Sequence, residues 1–433
     1  MARPGLKVRT IGPDALVVLG LVALVGAAAA QGRALLAAGV DIFLAFPPLL
    51  AEWLPHVGPG TPAAVAIGLA TVTTGPDLAQ RLAWRPLLGT AWAAATAWTV
   101  SLALVDGWQR GVVERLTSDQ EYLNDVPRVP DITAALGTFA DHILTDQPVF
   151  WSTHVGAHPP GALLLFVWLD RIGLGDGGAS GVVVMVVAGS ACVAVAVALR
   201  ALGHEDLARR ALPFGVLLPG AVWMGVSADG LFAGVLAWGV ALLAVGASRR
   251  LPAALAGGVL LGWCLYLSYG LALAVLFPLA VLLATRNVRA LLLASLGAAA
   301  VVAAFTAAGF WWFTGFAHVR VIYAASIAAT RPYSYFVWAN LAAVAIAAGP
   351  AVVVALRRLP LLPRPALLLT GAALACIALA DLSGMSKAEV ERIWLPFVVW
   401  LVVPCALLPR ARWWLAGQVV LALAVNHLLL TVW

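Results

Sequence analysis

The fold class this sequence predicts is all-α: a polytopic integral membrane protein. Three observations predict it. Of the 433 residues, 63% are hydrophobic and 11% are charged, with a mean hydropathy of +0.97, whereas a soluble chain carries roughly a quarter charged residues. The apolar residues recur in solid Ala/Leu/Val blocks, most close to the roughly twenty residues that a helix needs to cross a bilayer. A β-barrel would alternate apolar and polar positions over about ten residues instead. The basic residues sit in short clusters between the blocks.

Taken in order, the blocks predict about thirteen transmembrane helices, over 15–38, 61–79, 87–106, 180–200, 211–226, 230–248, 252–267, 271–285, 290–314, 336–356, 365–381, 393–409 and 413–431. They make 1–433 a single transmembrane domain with one large outer loop between the third and fourth spans. Residues 1–10 are basic, and the alanine run at 27–30 continues into 31–40 without a processing site, so the first span is expected to be retained.

Lys and Arg favour cytoplasmic loops. With the N terminus cytoplasmic, Arg3, Lys7, Arg9, Arg81, Arg85, Arg200, Arg209, Arg210, Arg249, Arg250, Arg286, Arg289, Arg357, Arg358, Arg364, Arg410 and Arg412 all fall on that side. They are 17 of the 26 basic residues, which implies a multi-pass protein of the plasma membrane. The count requires that 160–172, about thirteen apolar residues, does not cross. That length suits an interfacial or re-entrant helix.

Against this background one region is polar. Residues 106–159 hold eight of the twenty acids and three of the seven histidines. Charge places 107–159 outside, as an extracytoplasmic loop with short interfacial helices. Ionisable groups gathered in one loop of a membrane protein mark a place for chemistry.

The net charge of +6 does not point to nucleic acid, since no aromatic and basic residues interleave. The four cysteines, Cys192, Cys264, Cys376 and Cys405, lie singly in apolar blocks without metal-binding spacing.

The candidate site residues all fall in outer segments. Asp119 and Glu121 are carboxylates two residues apart, with Asp125 close behind. Such a group can serve as a general base with a supporting acid, or Asp119 and Glu121 can hold a divalent cation such as Mg2+ or Mn2+. In His158-Pro159-Pro160-Gly161 the prolines fix the start of a helix and aim the histidine. Asp229, in Ser227-Ala228-Asp229-Gly230, is either a site carboxylate or part of a helix cap. Arg320, Arg331 and Tyr333 lie in an aromatic and basic loop at 315–335, a pattern suited to a phosphate head group. Lys387, Glu391 and Arg392 bring charge to the outer end of a span. Arg392 is either a donor-phosphate contact or the partner of Glu389 or Glu391.

In this order the motifs resemble the GT-C superfamily of polyprenyl-phosphate-sugar-dependent glycosyltransferases, in the branch of the protein O-mannosyltransferases and the aminoarabinose transferase of lipid A. The residues that carry the likeness are Asp119/Glu121 before Tyr122, His158-Pro159-Pro160-Gly161, Pro219 through Gly230, and Glu391-Arg392-Ile393-Trp394, covering about 106–400. The resemblance implies a GT-C-like fold and an inverting transferase acting on the outer face of the membrane. It implies a polyprenyl-phosphate sugar as donor and an acid of the first large outer loop, here Asp119 or Glu121, as base. The chain departs from the family in placing two further spans before that loop and in its Asp-x-Glu spacing, so Asp41 and Glu52 compete as the base. With no sizeable soluble domain to hold a protein, the expected acceptor is a lipid, glycolipid or cell-envelope glycan. A transporter or lipid flippase is the competing class, which ionisable residues at mid-span would favour.

Overall fold

The computed structural model describes residues 12–432; the expected cytoplasmic charges Arg3, Lys7 and Arg9 lie outside the described residues. Helices dominate. Among the described residues the only strands are Ala51–Trp53 and Leu429–Thr431, which pair antiparallel with Glu52 opposite Leu430.

Among the described residues six helices are long and apolar enough to cross a bilayer: Pro13–Ala37, Trp84–Asp106, Gly177–Ala201, Ala228–Ser248, Val288–Ala307 and Arg364–Leu382. A seventh results if Tyr333–Ala348 and Pro350–Leu361, bent by 105°, count as one span. The other expected spans take different forms, for identifiable reasons. Pro252–Leu267, Tyr269–Thr285 and Leu395–Leu407 are apolar but short. The first has 16 residues, and at 1.5 Å per residue such a helix falls short of a bilayer core of about 30 Å.

The expected span 211–226 is broken. A helix over Glu205–Val216 with Pro213 inside it ends before 217–220, and a single turn follows at Ala221–Met224. The 105° bend falls where Gly349, at φ 84°, precedes Pro350, a proline that disfavours helical backbone in the residue before it. Helices form over Thr61–Arg81 and Ala411–Leu428, but residues such as Asp77, Arg81, Arg412 and Gln418 dilute their apolar character, and the end of the expected span 413–431 is the strand Leu429–Thr431. The expected outer loop at 315–335 is itself mostly helical, over Trp312–Ala325 and Ile327–Thr330.

Burial separates the bundle's interior from its rim. In Gly177–Ala201 and Ala228–Ser248, 72% of the apolar window is buried, against 11% in Pro13–Ala37 and 22% in Val288–Ala307. Small residues permit the closest helix contacts. A Cβ on Gly246 would run into the backbone of Ala254, and one on Gly258 into the carbonyl of Ala294.

The polar region 107–159 folds as a chain of short helical turns, including Gln109–Val113, Tyr122–Asn124, Ile132–Thr138 and Thr153–Ala157. Pro160–Arg171 follows as a helix of 12 residues with its inner face buried, about 18 Å long at 1.5 Å per residue. Asp106 anchors this region to the segment after Ala51–Trp53 and to the strand Leu429–Thr431: it contacts His56 Nε2 and Arg115 Nη2, each at 2.9 Å, and Arg115 Nη1 donates to the Thr431 carbonyl at 2.7 Å.

Several of the arginines expected on the cytoplasmic side tie neighbouring helix ends together. Arg209 donates to the carbonyls of Ala79 and Leu82, Arg200 and Arg209 share Glu205, and Arg249 reaches the Arg200 carbonyl. Arg412 pairs with Asp77, and Arg357 and Arg358 share Asp14.

Candidate functional site

Asp229 stands in the first turn of the helix whose far end meets Arg249, and at its end of the bundle charge turns inward. The segment 120–125 comes first. Its irregular backbone leaves Glu121 extended, at φ −102° and ψ 168°, with its carboxylate buried at 4% exposure. Oε1 of Glu121 lies 2.8 Å from Nδ1 of His154. The backbone holds the two segments together. His154 N–H donates to the Gln120 carbonyl at 3.0 Å, and Ser152 N–H to Asp125 Oδ2 at 2.8 Å. Asp125 also pairs with Arg128 at 2.5 Å, so it works as a brace.

His158 is placed by the prolines after it, as the sequence predicts. Pro159 is extended at φ −64° and ψ 158°, and Pro160 opens the helix. The His158 Nδ1 lies 2.7 Å from the Tyr122 hydroxyl and 2.9 Å from the His154 carbonyl. A hydrogen on Nδ1 serves the carbonyl, whereas a bare Nδ1 accepts from the Tyr122 hydroxyl. Tyr122 stacks on His158, His154 and Phe166, with the Phe166 ring 5.0 Å away. This ties the polar loop to the Pro160–Arg171 helix.

The third part comes from distant segments. Arg392 donates to Asp229 Oδ2 at 2.8 Å and to Glu389 Oε2 at 3.0 Å. Ser227 bonds back to the Trp223 carbonyl at 2.7 Å, and neither it nor Asp229 caps the Ala228–Ser248 helix. Glu389 reaches Arg392 from a strained turn: Ala388 and Glu389 both take positive φ, 72° and 62°, which costs about 1–2 kcal/mol per non-glycine residue. Asn340 supports that turn. Its amide donates to Asp381 and to the Ser386 carbonyl, each at 2.8 Å, and its oxygen accepts from Ala388 N–H at 3.3 Å. Arg331 clamps the same turn to the segment after Pro13–Ala37 through the carbonyls of Lys387, Ile42 and Phe43, and lies 3.6 Å from Glu389.

Electrostatics joins these parts. Burial pushes the Glu121 carboxyl up, but the His154 ring and the Arg392 guanidinium outweigh it and hold the group below its ordinary value. Glu389 likewise is raised by burial and held down by Arg392 and Arg331. Burial lowers His158 to about 4, against the opposing pull of Asp229, so the ring is neutral at pH 7. Burial opposes the charge on Arg392, yet Asp229 and Glu389 raise its pKa above the ordinary value. Glu391 is raised to about 7 by burial; among the described residues neither of its carboxyl oxygens makes a well-aligned hydrogen bond.

Of the residues singled out in the sequence, Glu121, His158, Asp229, Arg331, Glu391 and Arg392 lie in or against this cluster. Others do not. Asp119 is exposed, so Asp119 and Glu121 do not converge as a chelating pair: in irregular backbone, two residues' separation sends one side chain out and the other in. Among the described residues no group of three or more His, Cys, Asp and Glu is arranged to hold a metal ion. Arg320 is exposed on the Trp312–Ala325 helix. Tyr333 is 41% exposed and donates to the Leu382 carbonyl at 3.3 Å. The Lys387 ammonium donates to the Ala328 carbonyl at 3.0 Å. Of the competing acids, Asp41 accepts from the Phe43 N–H and Glu52 is exposed in its strand.

Sequence reasoning overlooked His154, Tyr122 and Asn340 as site residues and saw Glu389 only as a partner for Arg392. The available signal for His154 was its position four residues before His158, one helical turn away. No protein-family model matches the chain, and no curated protein matches it in sequence.

Proposed function

We propose that this protein is an inverting glycosyltransferase of the plasma membrane with a GT-C-like fold. In this reading it moves a sugar from a polyprenyl-phosphate donor to a lipid, glycolipid or cell-envelope glycan acceptor on the outer face. The observation that carries the reading is convergence: motifs spread from Glu121 to Arg392 meet in one buried polar cluster through Glu121–His154, Tyr122–His158 and Asp229–Arg392. A purely structural requirement for a helical bundle does not call for so many ionisable groups in one dry place.

The N terminus is cytoplasmic in this reading, and the large loop 107–159 lies on the outer face. Glu121 is the acid of the base, in preference to Asp119 or Asp125, because its carboxylate faces the cluster. Arg392, shared by Asp229 and Glu389, supplies the positive charge toward which a departing phosphate is drawn. The Asp119–Glu121 metal chelate is not carried into the proposal.

The test is sugar transfer in membranes supplied with polyprenyl-phosphate sugars, comparing the native protein with Glu121→Gln. A loss of about 100-fold or more is expected, because general-base function at this site depends on that carboxylate. Undiminished transfer by Glu121→Gln, or none by the native protein with any such donor, would overturn the assignment.

A further inference from the structure

We infer that the proton acceptor of this site is the imidazole of His154, with Glu121 as the residue that positions it. The inference rests on the transferase reading and deepens it. Glu121 Oε1 lies 2.8 Å from His154 Nδ1, and the two side chains are 5% and 10% exposed. A buried carboxylate against Nδ1 keeps the ring hydrogen on that nitrogen and makes Nε2 the basic one.

The distance between the two is built into the backbone. The His154 N–H bond to the Gln120 carbonyl, the Ser152 hydroxyl bond to the Glu121 carbonyl at 3.4 Å and the Ser152 N–H bond to Asp125 lock residues 120–125 onto 152–154. The Tyr122 ring lies nearly parallel to His154, with 6.5 Å between centroids and 25° between planes, which limits rotation of the imidazole.

The titratable groups coupled to His154 are the carboxyls of Glu121 and Glu389 and the ring of His158. Glu121, held below its ordinary value by the His154 ring and the Arg392 guanidinium, is by itself a weak base at pH 7. An imidazole is better matched to that task.

The step balances. As the acceptor oxygen bonds to the anomeric carbon, its proton passes to His154 Nε2. The bond from that carbon to the donor phosphate oxygen breaks, and its electron pair leaves on the polyprenyl phosphate. The imidazolium then returns its proton to water.

The experiment compares purified native protein, His154→Gln, Glu121→Gln, the double variant and Asp119→Asn, in nanodiscs with a polyprenyl-phosphate sugar. His154→Gln and Glu121→Gln should each lower kcat by about 100-fold or more with KM changed less than about threefold. The double variant should be no worse than His154→Gln, because the pair acts as one unit. Asp119→Asn should keep native activity. His154→Gly, checked as folded by its melting profile, should regain at least about tenfold with added imidazole, a rescue that a structural role would not produce. Native-like transfer by His154→Gln, or no imidazole rescue of folded His154→Gly, overturns this inference and leaves the transferase reading standing if Glu121→Gln is inactive. Absence of transfer by the native protein overturns the reading and the inference together.

Discussion

The two ends of the bundle handle charge in opposite ways. At the arginine-rich end ion pairs stand in the open: the side chains of Arg412 and Asp77 are 53% and 50% exposed, and those of Arg357 and Asp14 are 41% and 27% exposed. At the acid-rich end Arg392 and Asp229 are 6% and 5% exposed. Water already solvates the first set, so each pair is worth about 0–1 kcal/mol. The second set has lost its water, so each charge depends on its partner, and removing one partner is far more costly than the pair's net worth. Clustered buried charge of this kind is a cost to folding that chemistry can explain and topology cannot.

The largest way to sharpen the contrast is Arg392→Met, which leaves Asp229 and Glu389 buried without their cation. A loss of about 3–5 kcal/mol is expected, read as a fall in the thermal unfolding midpoint of detergent-purified protein. A change within experimental error would place the cluster in water and dissolve the distinction between the two ends.

Next comes pH. Folded Glu391 titrates at about 7, above its ordinary 4.5, so folding favours the protonated form. Its contribution to stability is fully present below pH 4.5 and is lost as pH rises through about 7. The difference between native protein and Glu391→Gln should therefore change across that window by on the order of 3 kcal/mol. A difference that stays constant from pH 4.5 to 8 would show that Glu391 is solvated or paired.

The smallest effect belongs to the open end. Asp77→Asn, which removes the partner of Arg412, should shift stability by less than about 1 kcal/mol, and less still at high salt. A shift as large as that of Arg392→Met would mean that the arginine-rich end is as dry as the other.

Much of the frame can be read along the chain. Apolar blocks and sparse charge announce a membrane-associated helical protein, because unpaired backbone groups in lipid leave little alternative to helices. Pro159 and Pro160 announce the helix at Pro160–Arg171, because proline suits a helix start. The short turns of 107–159 follow from a stretch too polar for a span and too punctuated for a long helix. The interrupted helices are harder. Pro213 and the Gly349–Pro350 pair were visible, yet hydropathy averaged over a window hides a break inside an apolar block.

The site divides along the same line. That chemistry gathers near Glu121, His158, Asp229 and Arg392 is legible, because isolated ionisable residues in an apolar chain have few other reasons to exist. Which of them touch is not. Contact between 121 and 154, or between 229 and 392, depends on how whole segments pack, and that information is spread over the apolar residues between them. Choosing Glu121 over Asp119, seating Arg392 between two carboxylates, and bringing in His154 and Asn340 all belong to the folded chain. A side chain's direction in irregular backbone is set by its surroundings, and a buried charge takes whichever partner the packing delivers.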